Sequence, residues 1–161
     1  MGFSIQVDGL DELNRKLDKL GENAQGIAAQ GLYDGAGLVA DRVSQAVNGI
    51  ATEPFRYAKG GRKRKPSPEE KALLAKAKHG VAKFRKSGTE VQTSVGLQNS
   101  GYGELNGKTK PIPVIANAIN SGTSFMDRQP FFRKAVSQGN GAAVAAIEAK
   151  IKELIDEMNI E

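Results

Sequence analysis

The chain has no cysteine, no tryptophan and a single histidine, His79, among its 161 residues. Without cysteine there is no disulfide scaffold, no thiol nucleophile and no cysteine-bearing zinc site. One histidine cannot build a polyhistidine metal centre within one chain. Long apolar runs are also missing, and none approaches the roughly 20 residues that a bilayer-spanning helix requires. Met1 to Leu10 show neither a basic n-region nor an apolar h-region, so no signal peptide is expected. These absences lead to the expectation of a soluble protein made in a cytoplasm, a single domain large enough for one core.

Groups suited to catalysis are equally scarce. The carboxylate pairs Asp11/Glu12, Glu69/Glu70 and Asp156/Glu157 fall on expected solvated helix faces or at a helix start. His79 has no carboxylate near it in sequence, and neighbouring positive charge would lower its pKa. Gly101-Tyr102-Gly103 lacks the third glycine and the following helix of a phosphate-binding loop, and reads as a turn. No enzyme, metal site or cofactor is expected.

What the chain does have is unevenly placed positive charge. Lys and Arg number 23 against 18 Asp and Glu, for a net charge of +5. Twelve of those bases but only two of the acids lie between Pro54 and Lys86, so that stretch carries +10. The remainder, with eleven bases and sixteen acids, carries −5. A mildly acidic body thus surrounds a strongly basic segment.

Phe3, Ile5 and Val7 alternate as in a half-buried strand. Asp8 is placed as an N-cap for a helix carrying Leu10, Leu13, Leu17 and Leu20, with Gly21 as its stop. A second, Ala/Gly-rich helix is expected from Asn23 to about Val47. Its glycines Gly26, Gly31, Gly35 and Gly37 each cost about 1 kcal/mol relative to alanine. They imply close approach of another backbone, either from the domain's own sheet or from a neighbouring subunit.

The basic segment then divides in two. Phe55 to Pro66 reads as an exposed loop. Ser67 as N-cap, Pro68 at N1 and Glu70 at the capping-box position open a helix. Its apolar stripe is Leu73, Leu74, Ala77 and Val81, and its basic surface is Lys71, Lys76, Lys78 and Lys83. Thr89 to Leu97 reads as a strand, and Asn106-Gly107 as a hairpin turn. Pro111 and Pro113 demote the strand after that turn to an edge. Val114 to Asn120 is a short strand or a helical turn. Pro130 is expected at N1 of a C-terminal helix, interrupted at Gly139-Asn140-Gly141 and resuming through Ala143, Ile147, Ile151, Leu154, Ile155 and Met158.

The expected fold is therefore α+β and a single domain over residues 1–161. It comprises a small antiparallel sheet, an N-terminal helix, a long second helix and a C-terminal helix, with a basic loop-helix insert at about 54–86. Arg56, Lys59, Arg62, Lys63, Arg64, Lys65, Lys71, Lys76 and Lys78 are its expected contact residues for DNA or a partner. With Phe55, Tyr57 and Phe84 nearby, the segment has the cations and rings of sequence-independent nucleic-acid binding. It could equally dock on an acidic protein, or simply be solvated.

The order of segments resembles a known family. The residues that carry the resemblance are Asp8 to Leu20 running into an Ala-rich helix, then Ile115-Ala-Asn-Ala-Ile-Asn-Ser-Gly-Thr123, then Gln129-Pro-Phe-Phe-Arg-Lys-Ala135. This is similar to the tail-component family of long-tailed bacteriophages, the small head–tail joining or tail-completion proteins, over residues 3–50 and 89–158. The basic segment stands where that family usually carries a Thr-Gly-x-Leu stretch. Asn117 to Asn120 replace the acidic and aromatic residues common before its Gly-Thr turn. The resemblance implies a structural virion protein of the neck or tail. It would form a cyclic homo-oligomer such as a hexamer or dodecamer, between connector and tail-tube proteins, with DNA passing through its lumen and no membrane contact. Phe125, Met126, Arg128 and Phe131 are the residues expected at the subunit interface. The alternative is an accessory protein that binds nucleic acid through the basic segment alone.

Overall fold

The computed structural model describes residues 10–54, 60–88, 90–98 and 101–158. The strand expected over Phe3 to Val7 and the cap at Asp8 lie outside them, as do Phe55, Arg56, Tyr57 and Lys59.

The chain from Leu10 to Asn48 forms one helix, α1, where two were expected. Gly21 does not stop it. A glycine terminates a helix by taking a positive φ, and Gly21 is not among the residues that do so. No proline occurs before Pro54 to remove a backbone donor, so the helix runs through at the modest cost of its glycines.

The C-terminal helix α4, Phe131–Glu157, is likewise continuous. Pro130 occupies its N-cap, one position earlier than expected. Gly139 does not interrupt it, because Gly139 is buried where the Arg42 side chain of α1 crosses: a Cβ there would lie 2.9 Å from Arg42 Cδ. Further along the same contact, a Cβ on Gly31 would sit 2.8 Å from Ile151 Cγ1, and one on Gly35 would sit 2.8 Å from the Ala143 carbonyl oxygen. These two glycines let α1 and α4 approach as an antiparallel pair. For these two glycines the close neighbour is α4, rather than the sheet. Gly26 and Gly37 meet nothing within 4 Å, and no contact in the structure explains them.

Between the long helices, α2 spans Pro68–Lys76 and opens on the expected capping box. The Glu70 N–H donates to Ser67 Oγ at 3.1 Å, and the Ser67 N–H donates to the Glu70 carboxylate at 2.7 Å. The helix does not reach Val81. Ala77 is extended, and β1 (Lys78–Val81) pairs antiparallel with β4 (Val95–Gln98), placing His79 opposite Leu97 and Gly80 opposite Gly96. The positions Ala77, His79 and Val81 alternate as well as they fit a helical stripe, and the available strand partner decides between the two.

The strand expected over Thr89 to Leu97 is split. β2 (Arg85–Ser87) pairs with β3 (Glu90–Gln92) beyond β1 and β4, making one long interrupted hairpin. Between the two ladders, Ala82 to Phe84 face only Thr93 and Ser94, so one arm carries one extra residue, as in a bulge. Thr93 Oγ1 donates to the Ala82 carbonyl at 2.7 Å across the gap.

A second hairpin joins β5 (Tyr102–Leu105) to β6 (Lys108–Pro111). Asn106 and Gly107 both take positive φ, the requirement of the two-residue turn that this dipeptide signals. Tyr102 and Gly103 lie in β5 and form no turn. Ile112–Ser121 is helical, as α3, with its apolar face inward. The fold is α+β, and the described residues form four helices and three two-stranded antiparallel ladders, where one small sheet was expected. Its main core joins Val43 and Val47 of α1, and Ile50 just beyond it, to Leu74 of α2, Ile115 and Ile119 of α3, and Phe131 of α4. Leu74, Ala77 and Val81 are all buried, so the basic segment supplies core and is more than an appendage.

Candidate interaction surface

The basic residues between Arg62 and Lys86 do two different jobs. Arg64 is buried, at 9% exposure, and so is Glu70, at 6%. The Arg64 guanidinium donates twice to the Glu70 carboxylate, at 2.7 and 2.8 Å, and again to the Lys65 carbonyl at 3.0 Å. Burial pushes the Glu70 carboxyl upward. The hydrogen bonds from Arg64 and Ser67 outweigh that and hold it below the usual carboxylate range. The hydrogen bond to Glu70 in turn raises the Arg64 pKa against the effect of burial.

Backbone pairing fixes the same point. The Arg64 N–H donates to the Phe125 carbonyl at 2.9 Å, and the Asp127 N–H donates to the Arg64 carbonyl at 2.8 Å. Arg64 thereby bridges Met126 in parallel. Its guanidinium carbon lies 5.8 Å from the centre of the Phe125 ring, within reach of a cation–π contact.

The loop from Gly122 to Arg128 is shaped for this pairing. Gly122 has φ +76°, and a Cβ there would lie 3.0 Å from the Arg128 nitrogen. Thr123 Oγ1 accepts from the Met126 N–H at 3.0 Å, and the Thr123 N–H donates to the Met126 carbonyl at 3.0 Å. Gly122 and Thr123 therefore make the turn that carries Phe125 and Met126.

Lys71 is also taken up by the fold. Its ammonium donates to the carbonyls of Asn48, at 2.7 Å, and Ile50, at 2.9 Å, supplying a cation to the C-terminal end of α1. Arg62 pairs with the Glu53 carboxylate, which also accepts from the Lys65 N–H at 3.3 Å. That backbone hydrogen bond is the main cause holding Glu53 below the usual carboxylate range.

Of the nine expected contact residues, Arg56 and Lys59 lie outside the described residues. Arg64 and Lys71, expected among the contact residues, are instead engaged within the fold. Lys63, Lys65, Lys76 and Lys78 are exposed, and their side chains form no ion pair among the described residues. Lys83, Arg85 and Lys86 extend the exposed cations along the hairpin, where Lys86 Nζ lies 6.0 Å from the centre of the exposed Phe84 ring. Lys108 and Lys110 also belong here. They border a polar hollow with Arg64, Ser67, Glu70 and Asn106. Their signal was the Lys-Thr-Lys alternation after the Asn-Gly turn, which puts both on one face of β6.

The expected interface residues divide in the same way. Phe125, at 56% exposure, and Arg128 are open to solvent, whereas Met126, at 2%, and Phe131, at 7%, belong to the core. Met126 is turned inward by its Thr123 bonds. Phe131 is covered as α4 enters over α1, with the His79 ring edge-on to it at 6.4 Å. Burial lowers the His79 pKa, and Ser44 Oγ lies 3.4 Å from its Nδ1. His79 lies on β1, not on the basic helix where it was expected. Among the described residues, no group of three Asp, Glu or His is placed to hold a metal ion, and no helix is long and apolar enough to cross a membrane.

No protein-family model, curated protein or solved structure matches this chain.

Proposed function

We propose that this chain is a structural virion protein of a bacteriophage neck or tail, a ring-forming subunit that joins the head connector to the tail. One observation carries the reading. The fold consumes Arg64 and Lys71 to lock the basic segment in place, and leaves Lys63, Lys65, Lys76 and Lys78 exposed and unpaired among the described residues. A locked scaffold that presents free cations is a contact surface for phosphate or carboxylate. The order of the Gly-Thr and Pro-Phe-Phe segments along the chain supports the phage context. Large apolar side chains left at the surface, among them Tyr33, Leu38, Tyr102, Phe125 and Val144, suit a subunit that buries them on assembly.

Mass photometry and negative-stain microscopy of the purified full chain, alone and with its connector protein, test this. Closed rings or connector-bound assemblies are the expected result. A chain that stays monomeric in both settings overturns the reading. If that monomer instead binds DNA with an affinity falling steeply with salt, the accessory nucleic-acid-binding role replaces it.

A further inference from the structure

The two ends of α4 are charged in the sense opposite to the one a helix favours. Acids suit the positive N-terminal end of the helix dipole and bases the negative C-terminal end. In α4 the first turn has no acid and carries Arg133 and Lys134, while the last turn has no base and carries Asp156 and Glu157. None of these four residues forms an ion pair among the described residues.

The basic end also encloses space. A groove of about 590 Å³ opens between the end of α1 and the start of α4. Ile50, Phe131 and Ala135 give it apolar lining, Arg128, Arg133 and Lys134 stand around it, and no carboxylate lines it. The three cations are exposed. The other end of α4 offers the complementary chemistry: half-buried Leu154, Ile155 and Met158 beside exposed Asp156 and Glu157. Lys134 and Glu157 are separated by roughly 35 Å of continuous helix at about 1.5 Å per residue. The tail of one chain therefore cannot reach its own groove.

We propose that this groove accepts the last turn of α4, Leu154 to Met158, from a second copy of the chain. The proposal rests on the reading of the chain as an assembly subunit and names the contact that would join the copies. In this contact the exposed Asp156 and Glu157 meet the exposed Arg133 and Lys134. Each copy offers a groove at one end of α4 and a tail at the other, so the contact is heterologous and propagates into a ring or a filament.

Two charge-reversed full chains test it, R133E/K134E and D156K/E157K, all at exposed positions, with circular dichroism confirming their fold. Mass photometry over a concentration series is expected to show at least tenfold weaker self-association for each variant alone. An equimolar mixture should restore it, because the acidic groove of one variant then faces the basic tail of the other. The chain has no native cysteine, so Lys134→Cys mixed with Glu157→Cys should give a disulfide-linked dimer under mild oxidation. A self-associating wild type with unaffected variants, or weakened variants that mixing does not restore, overturns this contact and leaves the assembly reading standing. Loss in R133E/K134E alone assigns the groove to an acidic segment of the second copy other than its α4 end and overturns this contact. A wild type that stays monomeric, with and without its connector, overturns both.

Discussion

The Arg64 guanidinium lies bidentate on the Glu70 carboxylate, at 2.7 and 2.8 Å, with both side chains almost fully buried. The pair sits where four segments meet. Glu70 closes the cap of α2, the Arg64 backbone pairs with the loop at Met126, and the Glu53 N–H donates to the Pro66 carbonyl at 2.9 Å. The most basic run in the sequence therefore contains one arginine whose role is internal.

Removing either partner leaves a buried charge without its counter-ion, which costs about 3 kcal/mol. Glu70→Gln and Arg64→Met should each lower unfolding free energy by about that amount in urea titrations. Arg62→Ala, at a largely exposed pair, should change it little. The acid limb of stability has its origin in the same pair. The folded Glu70 carboxyl titrates below its ordinary value near 4.5, so its contribution is fully present above pH 4.5 and is lost as pH falls through the lower folded value. Glu70→Gln should flatten that limb. A limb of unchanged steepness would assign acid sensitivity to other carboxylates.

How much of this was legible in the sequence depends on how far apart the interacting residues lie. Ser67, Pro68 and Glu70 specify a helix start within four residues, and Asn106-Gly107 specifies its turn within two. Both form as read. The missed continuation through Gly139 depends on α1 and α4 lying against each other, which sets Gly139 on the distant Arg42, whereas the one through Gly21 follows from that glycine not taking a positive φ. Lys71 likewise depends on partners outside its own helix, its acceptors being Asn48 at the end of α1 and Ile50 just beyond it. The lysines that remain exposed are distinguishable from the structural cations only once those partners are in place.

Two glycines of α1 should respond in opposite directions to the same substitution. Gly26 lies mid-helix with nothing within 4 Å of a would-be Cβ, so Gly26→Ala should stabilise by up to about 1 kcal/mol. At Gly35 the nearest fixed atom is the Ala143 carbonyl oxygen at 2.8 Å, part of a helix backbone that cannot swing aside. Gly35→Ala should destabilise by about 1–3 kcal/mol despite its better helix propensity. Thermal denaturation of the two variants beside the wild type checks the pair, and a stabilising Gly35→Ala would disprove the close approach of α1 and α4.

His79 should make the β1–β4 hairpin sensitive to mild acid. Burial holds its folded pKa below the ordinary value of 6.5, so below that value the unfolded chain binds the proton more readily than the folded one. Stability should therefore be full above pH 6.5 and decline as pH falls from there towards the lower folded value. His79→Leu should remove this part of the pH dependence. Urea midpoints at pH 7.5 and pH 5.5 measure it, and an equal drop in both proteins would show that His79 does not cause it.

The separation of structural from exposed cations changes how the contact surface must be probed. Reversing charge across the whole run from Arg62 to Lys65 would break the Arg64–Glu70 pair, and any loss of assembly would then report unfolding. Lys63→Glu, Lys65→Glu, Lys76→Glu and Lys78→Glu, combined in one chain, avoid Arg64 and Lys71 and alter only exposed side chains. Surface changes of this kind usually shift stability by no more than about 0.5 kcal/mol each. The combined variant should keep its fold by circular dichroism and its cooperative melt. Its binding to the connector or to duplex DNA should weaken by tenfold or more, with a shallower dependence on salt, since each lost phosphate contact removes roughly one unit of slope. The matching Arg64→Glu variant should lose the melt itself. Undiminished binding by the four-lysine variant, with its fold intact, would remove these lysines from the contact surface and leave Lys83, Arg85 and Lys86 of the hairpin and Lys108 and Lys110 of β6 as its remaining cations.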